Sequence, residues 1–444
     1  MSELERLLHG GVVGGGGAGF PLWKKLSAPA EQLLINGAEC EPLLKSDQYL
    51  MRRYAKELTE AASRLAAIVN AREAVICLKD HYTAQIASLQ EALGEKTFAP
   101  PVRLHLLPTV YPIGDEQALV HSATGKTVPP GALPGAVGCT VVSVSTALNA
   151  LRALEGKPVT QRFVTVVGEI RRPGVYRAPI GMPVRVLLAE AGGATVPNDR
   201  LILGGPMMGP LAAENSESVV TKTLGGVLVL PAEHTLVRHA ELSMEQARVR
   251  ARSVCIQCRT CTDLCPRHLL GHPIYPHLTM RAFAAGDRLE PSALLCMECG
   301  VCELYACPMG LNPRRIQQAQ KAALRAAGEK PAFALKDAPA LAEYHQAPSG
   351  RLLSRIHAAQ YDIPVPQEAA AVDAPFVCIP MKQHIGAPAV PCVSAGDKVA
   401  RGDVIGRMAE GALGADVHAS ICGTVERADA DVVVIRGSAE RGKG

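Results

Sequence analysis

The sequence predicts a multidomain protein of α/β and α+β units, and three observations carry that expectation. The first third alternates strand-length apolar runs with runs of helical periodicity. Eight of the 14 cysteines fall between Cys255 and Cys307. The last segment returns to short β runs at tight turn spacing. At 444 residues the chain is too long for one ordinary core, and a hydrophobic content of 48% is enough for several.

The opening "SELERLLHG" reads as a helix and leads into a glycine-rich run, "HGGVVGGGGAGFP", from His9 to Pro21. The strand-length runs "EQLLING", "EAVICL" and "VRLHLL" are bounded by turn residues, whereas "LTEAASRLAAIVNA" and "YTAQIASLQEAL" place apolar residues at helical spacing. Together they predict a layered α/β unit over residues 1–158. From Arg162, "RFVTVVGEIRRPGVYRAPIG" gives two β runs joined by a Pro-Gly turn, and "PVRVLLAEAGG" a short helix ending on glycines. That is a small β-hairpin-plus-helix unit over 159–235. "EHTLVRHAELSMEQARVRARS" reads as helix leading into the cysteines of a unit over 240–325. Residues 326–368, rich in Ala and Pro, form a connector. "VSAGDKVARGDVIGRM" and "HASICGTVERADADVVVIRG" predict short strands over 369–444.

Lys and Arg number 46 against 42 Asp and Glu, a formal charge of +4 spread without a block of like charge. Nucleic acid is therefore not an expected partner. No stretch approaches about 18 uninterrupted apolar residues and the N-terminus has no signal-peptide core, so the chain reads as cytosolic and not membrane-spanning. In a reducing compartment, clustered cysteines mean metal or redox chemistry rather than crosslinks.

"CIQCRTCTDLCP" holds Cys255, Cys258, Cys261 and Cys265; "CMECGVCELYACP" holds Cys296, Cys299, Cys302 and Cys307. Each run spaces three cysteines three apart and follows a fourth with proline. In two-cluster ferredoxins the fourth cysteine ligates the other cluster. This assigns Cys255, Cys258, Cys261 and Cys307 to one [4Fe–4S] centre and Cys296, Cys299, Cys302 and Cys265 to a second. The second run has four residues before its last cysteine where the first has three, a departure at that crossing. Zinc is the alternative, although its sites generally use two separated Cys-x-x-Cys pairs. His268, His272 and His277 are expected in a loop packed beside the clusters. Cys40, Cys77, Cys139, Cys378, Cys392 and Cys422 lack ligand spacing and read as buried small hydrophobes.

Gly14, Gly16 and Gly19 satisfy G-x-G-x-x-G, with Glu39 twenty residues beyond Gly19. A dinucleotide fingerprint must come after a strand, and here a helical segment precedes it while Pro21 and Pro29 interrupt the segment on its C-terminal side. A flexible linker is the other simple reading. Successive glycines also allow backbone N–H groups to converge on an anion such as a phosphate.

"GGGGAGFPLWKKL" resembles the flavin-binding loop of the complex I flavoprotein subunit. "NGAECEPLLKSD", "YPIGDEQAL" and "GGPMMG" resemble the C subunit of the Rnf electron-transport complex. Over nearly its full length the chain is similar to the cobalamin reductases of bacterial propanediol-utilisation microcompartments. That resemblance implies an FMN domain, an SLBB β-grasp domain, a helical ferredoxin-like domain with two [4Fe–4S] clusters and a C-terminal barrel-sandwich hybrid domain. It implies that Gly14, Gly15, Gly16, Gly17, Ala18, Gly19 and Phe20 wrap FMN, with Lys25 near its phosphate or the nucleotide. Asn36, Glu39 and Glu41 would line the flavin and nicotinamide pocket, with Asp115 and Glu116 as its far wall. "VVSVSTAL" stands where complex I relatives read Asn-Asn-Val-Glu-Thr, so Ser143 replaces an asparagine, Ser145 replaces a glutamate and Thr146 matches. That difference bears on how tightly FMN is held.

The resemblance implies an NADH-dependent oxidoreductase that passes electrons through FMN and the clusters to the cobalt of cobalamin. A cob(I)alamin adenosyltransferase and a microcompartment shell protein are its implied partners, in the cytoplasm inside a microcompartment. The C-terminal segment lacks the lysine that biotinyl and lipoyl carriers modify, so no swinging arm is expected. Two other readings are an Rnf-like NADH:ferredoxin module and a non-catalytic iron-sulfur relay or scaffold.

Overall fold

The structure is a computed structural model that describes residues 1–17, 19–214, 217–286 and 288–437. Four parallel strands form the first sheet, in the spatial order Val102–Leu107, Glu73–Lys79, Gln32–Asn36 and Cys139–Ser143. The central strand is apolar on both faces, because Leu33 and Ile35 enter one core and Leu34 the other. Helices Ala55–Ile68 and Val144–Leu154 cover the first face, and Glu116–Thr124 the second. The sequence reading names three of these strands; Cys139–Ser143 is the fourth.

The second unit is a five-stranded sheet ordered Ala370–Ala371, Gly174–Pro179, Gln161–Gly168, Gly226–Pro231 and Asp199–Leu203. Gln161–Gly168 and Gly174–Pro179 are the expected antiparallel pair, and Val184–Glu190 is the expected helix. The outermost strand, Ala370–Ala371, comes from beyond the connector. The stretch read as helix before the cysteines is broken into Thr235–Glu241 and Met244–Val254. Ser243 restarts it with a capping box, its hydroxyl accepting from the Gln246 N–H while the Gln246 side chain accepts from the Ser243 N–H.

In the cysteine-bearing unit, helices Pro276–Gly286 and Pro313–Ala326 pack against each other. The connector is irregular apart from short elements: Ala347–Pro348 pairs with Val110–Tyr111 of the first unit, and Ser349–Arg355 is helical. The C-terminal unit has two small sheets, one holding Phe376–Pro380, Val432–Gly437, Gly423–Ala428 and Lys398–Val399, the other Val390–Pro391, Val404–Arg407 and Val417–His418. Its core residues Val377, Ile379, Val433 and Ile435 are continuous with the core of the first unit.

Three units converge on the glycine-rich segment. The buried Lys222 ammonium donates to the carbonyls of Gly11 (2.8 Å) and Asp416 (2.9 Å). The Trp23 indole N–H donates to the Gly414 carbonyl at 2.8 Å, and the Ile385 N–H to that of Gly19 at 3.1 Å. Cys77 and Cys139 are buried as expected, but Cys392 and Cys422 are exposed. The small C-terminal sheets fill their interior with Val and Ile and leave those thiols outside. Among the described residues no helix is long and apolar enough to cross a membrane.

Candidate flavin site and cysteine centres

The glycine run folds back on itself, with the Gly14 N–H donating to the Phe20 carbonyl at 2.9 Å and Val13 bridging Pro21. It comes after the helix Glu3–His9, not a strand, so the dinucleotide fingerprint fails by context. Its glycines serve different ends. A Cβ on Gly15 would lie 2.6 Å from Arg162 Nη1 and 2.8 Å from Ser145 Oγ. On Gly19, at φ +68°, it would lie 3.0 Å from His384 Cα. These two positions are dictated by packing. A Cβ on Gly16 would meet only Ser143 Cβ, at 3.9 Å, and one on Gly17 would meet nothing within 4 Å. Gly16 and Gly17 are therefore an exposed tip, and Ala18 lies outside the described residues.

The tip stands at the C-terminal edge of the parallel strands. Asn36 and Ser143 are register partners there, and Ser143 begins the helix Val144–Leu154. Ser143 makes no side-chain cap to that helix; its Oγ lies 2.7 Å from Thr146 Oγ1, which in turn accepts the Gly15 N–H at 2.8 Å. A helix N-terminus beside bare backbone favours an anion, and this edge is where α/β sheets bind ligands. These groups, from Gly16, Gly17, Ser143 and Thr146, fit the phosphate end of FMN.

The remaining expected residues divide into two groups. Asn36 Nδ2 donates to the Gly114 carbonyl at 2.8 Å, and Lys25 Nζ donates to Glu116 Oε1 (2.5 Å) and the Val141 carbonyl (2.9 Å), all near the strand ends. The other acids have internal partners. Glu39 accepts from the N–H groups of Asp47 (2.7 Å) and Gln48 (3.0 Å), capping the helix Ser46–Arg53. Glu41 Oε2 accepts the Met207 N–H at 3.0 Å, while its Oε1 is buried without a partner. Burial pushes the Glu41 carboxyl up to about 7, against the N–H bonds of Met207 and Met208. Asp115 caps Glu116–Thr124 through Oδ1, and its Oδ2 accepts from Arg267 at 2.9 Å in a nearly buried pair.

Arg162 and Asp47 are residues that the sequence reading missed. Arg162 reaches out of the second unit and is buried, donating to the Gly15 carbonyl (2.7 Å), Ser145 Oγ (3.1 Å) and the Leu224 carbonyl (3.0 Å). Asp47 accepts from the backbone and hydroxyl of Ser145; burial, then the Glu39 charge, raises its carboxyl. An arginine at the start of a strand carries no local signal of a contact 147 residues away. The one sequence clue is Ser145, a small residue where relatives of the flavoprotein carry a glutamate.

The cysteines sort into two sets of four. Cys255, Cys258, Cys261 and Cys307 line one pocket, with Ile256, Arg259, His277 and Met309. The Cys261 thiol is pushed up by burial and by the facing Cys307, Cys258 and Cys255. Cys296 faces Cys265 in the same way, and Cys302 faces Cys296, Cys299 and Cys265. Each set thus takes its fourth member from the other run. Among the described residues no three side chains converge tightly enough for a single metal ion. Four sulfurs spread around a space suit a multi-iron core. His277 is held by Thr262 Oγ1 at 2.7 Å and His272 by the Val128 carbonyl at 3.0 Å, so both have structural partners.

The two sets differ in setting. Cys265, Cys299 and Cys302 are buried, and the Tyr111 hydroxyl of the first unit donates to the Cys299 carbonyl at 2.6 Å. Arg314 Nη1 donates to the Met207 carbonyl at 2.7 Å, placing the "GGPMMG" segment between Glu41 and this set. Cys258, by contrast, is exposed, and its neighbour Ile256 is 63% exposed. One set abuts the flavin-binding unit and the other faces solvent.

Comparison with known proteins agrees unit by unit. Residues 8–152 match the Nuo51 FMN-binding domain, 163–211 the SLBB domain, 254–312 a 4Fe-4S dicluster domain and 366–440 the RnfC barrel sandwich hybrid domain. A solved NAD+-reducing [NiFe]-hydrogenase chain is 21% identical with a TM-score of 0.49, over 82% of this chain and 67% of that one. The Cobalamin reductase PduS of Salmonella typhimurium is 44% identical over 98% of this chain and 96% of its own length. That of Citrobacter freundii is 44% identical with the same coverage. With this identity across almost the whole of both chains, and the four matched units in order, the protein is an FMN and iron-sulfur oxidoreductase that belongs to the PduS cobalamin reductase family.

Proposed function

We propose that the chain is an NADH-dependent cobalamin reductase carrying one FMN and two [4Fe–4S] clusters. The observation that carries this is the 44% identity, over nearly the whole of both chains, to proteins named cobalamin reductase. The units would run over 1–158, 159–235, 240–325 and 369–444, joined by the connector 326–368. FMN supplies the exchange between a two-electron hydride donor and one-electron carriers, and the clusters supply one-electron relay. NADH oxidation releases NAD+, a proton and two electrons, enough to reduce two cob(III)alamin to cob(II)alamin.

The chain's own residues support an order. Gly16, Gly17, Ser143 and Thr146 would hold the FMN phosphate, and Asn36 with Gly114 the edge of the pocket nearest the strand ends. Cys265, Cys296, Cys299 and Cys302, packed against Tyr111, would hold the cluster next to the flavin unit. Cys255, Cys258, Cys261 and Cys307 would hold the outer one, from which electrons leave. The reduced cobalamin would pass to an adenosyltransferase, inside a shell that keeps both enzymes together. Glu39, Glu41 and Asp115 would act by holding the pocket walls rather than by touching nicotinamide.

The test is anaerobic reconstitution with iron, sulfide and FMN, and then NADH titration with flavin bleaching and cobalt spectra recorded together. Cobalt reduction in step with NADH loss is expected. Holo-protein that oxidises NADH with a dye yet leaves cob(III)alamin unchanged would overturn the proposal.

A further inference from the structure

Cys307 lines a second concavity besides the one it shares with Cys255, Cys258 and Cys261. This pocket, open and of about 390 Å³, lies among the helices Thr235–Glu241, Met244–Val254 and Ser349–Arg355. Arg238, Arg250 and Arg355 line it. Arg250 Nη2 donates to the Gly310 carbonyl at 2.9 Å and Arg355 Nη2 to the Cys307 carbonyl at 3.1 Å, while the Arg238 side chain has no partner among the described residues. None of the three meets a carboxylate among the described residues.

The one acid in the lining, Glu303, is already engaged. Its Oε1 lies 3.1 Å from His239 Nδ1 and its Oε2 accepts the Arg315 N–H at 3.1 Å. Arg152 and Arg103, by comparison, are paired with Glu57 and Glu73. Three uncompensated guanidinium groups around one concavity make an anion site, since guanidinium forks match phosphate oxygens. The remaining wall is apolar, from Leu236, Leu242, Leu304 and Ile356. The size is that of a small-molecule site.

We propose that this pocket seats the corrinoid acceptor, with the apolar wall against the corrin and Arg238, Arg250 and Arg355 on the phosphodiester of its nucleotide loop. The assignment rests on the cobalamin reductase reading. It places the acceptor beside Cys307, a ligand of the outer cluster in that reading, with Arg355 touching both pocket and ligand. An acceptor held there takes one electron at a time, cob(III)alamin becoming cob(II)alamin, with NADH as the donor of each pair.

Equilibrium dialysis of the oxidised holoenzyme tests this with two probes, cyanocobalamin and dicyanocobinamide, which lacks the nucleotide loop and its phosphodiester. Cobalamin is expected to bind about tenfold more tightly, the difference shrinking as salt rises and as millimolar inorganic phosphate is added. The double variant Arg238→Gln, Arg250→Gln is expected to lose that advantage and keep cobinamide binding. Arg238→Gln alone removes no side-chain hydrogen bond among the described residues, and iron and sulfide analysis verifies cluster content in every variant. Equal binding of both corrinoids, or unchanged constants in variants of a wild type that reduces cobalamin, would overturn the pocket alone. A wild type that neither binds nor reduces cobalamin would overturn the reductase reading and the pocket with it.

Discussion

Arg162 and Gly15 stand 147 residues apart in the chain and meet at 2.7 Å, guanidinium to carbonyl. Through this bond the β-grasp unit holds the glycine loop of the flavin unit from below, and through Ser145 it holds the start of the helix Val144–Leu154. The SLBB unit is thereby part of the framework of the proposed flavin site.

Arg162→Ala removes three hydrogen bonds from a dry site and leaves the Gly15 and Leu224 carbonyls and Asp47 without their cation. Urea unfolding should show a loss of about 3 kcal/mol or more. FMN fluorescence titration should show weaker binding in the variant that still folds. Arg162→Lys, which keeps charge but not the fork, should recover only part of both.

Gly16 and Gly19 should respond differently to alanine. Gly19→Ala forces a side chain into positive φ against His384 and Gln383, so a loss of about 1–3 kcal/mol is expected in thermal unfolding. Gly16→Ala meets only Ser143 Cβ at 3.9 Å and should melt like the wild type. If the phosphate lies on Gly16, that variant's FMN affinity should nevertheless fall about tenfold. Unchanged affinity would move the flavin elsewhere.

The proposed crossed ligation would make Cys265→Ser a lesion of the buried cluster, not of the outer one beside it in sequence. Anaerobically purified variant should hold about four irons instead of about eight, with the surviving electron paramagnetic signal matching that lost in Cys258→Ser. Cys307→Ser should resemble Cys258→Ser. The opposite grouping of phenotypes would disprove the crossing.

The Glu41 carboxyl, raised from 4.5 to about 7 by burial, sets a pH dependence of stability. Between those values the folded chain holds a proton that the unfolded chain has lost. Its stabilising contribution is thus present at low pH and declines as pH rises to about 7. Lys222, lowered from 10.5 to about 7 by burial, has the opposite sign in a higher window, where stability recovers as pH rises above 7. Glu41→Gln keeps an acceptor for the Met207 N–H, so denaturant midpoints should flatten between about pH 5 and 7.

Much of this molecule was legible in its residues taken in order. The spacing of Cys255, Cys258 and Cys261, and the Cys-Pro that closes each run, imply two sets of four thiols with the fourth member exchanged, and the structure gathers the thiols into those sets. The apolar run at Leu33–Ile35 and the Pro-Gly turn before Val175 report local backbone preference. Tertiary structure decided the rest. Glu39 became a helix cap, Asp115 the partner of Arg267, and Gly15 the seat of Arg162. It also decided which cysteine set is buried against Tyr111 and which faces solvent. These outcomes depend on how separate units dock, and docking energy comes from surfaces assembled from distant segments, which leave no periodicity or spacing in any one of them.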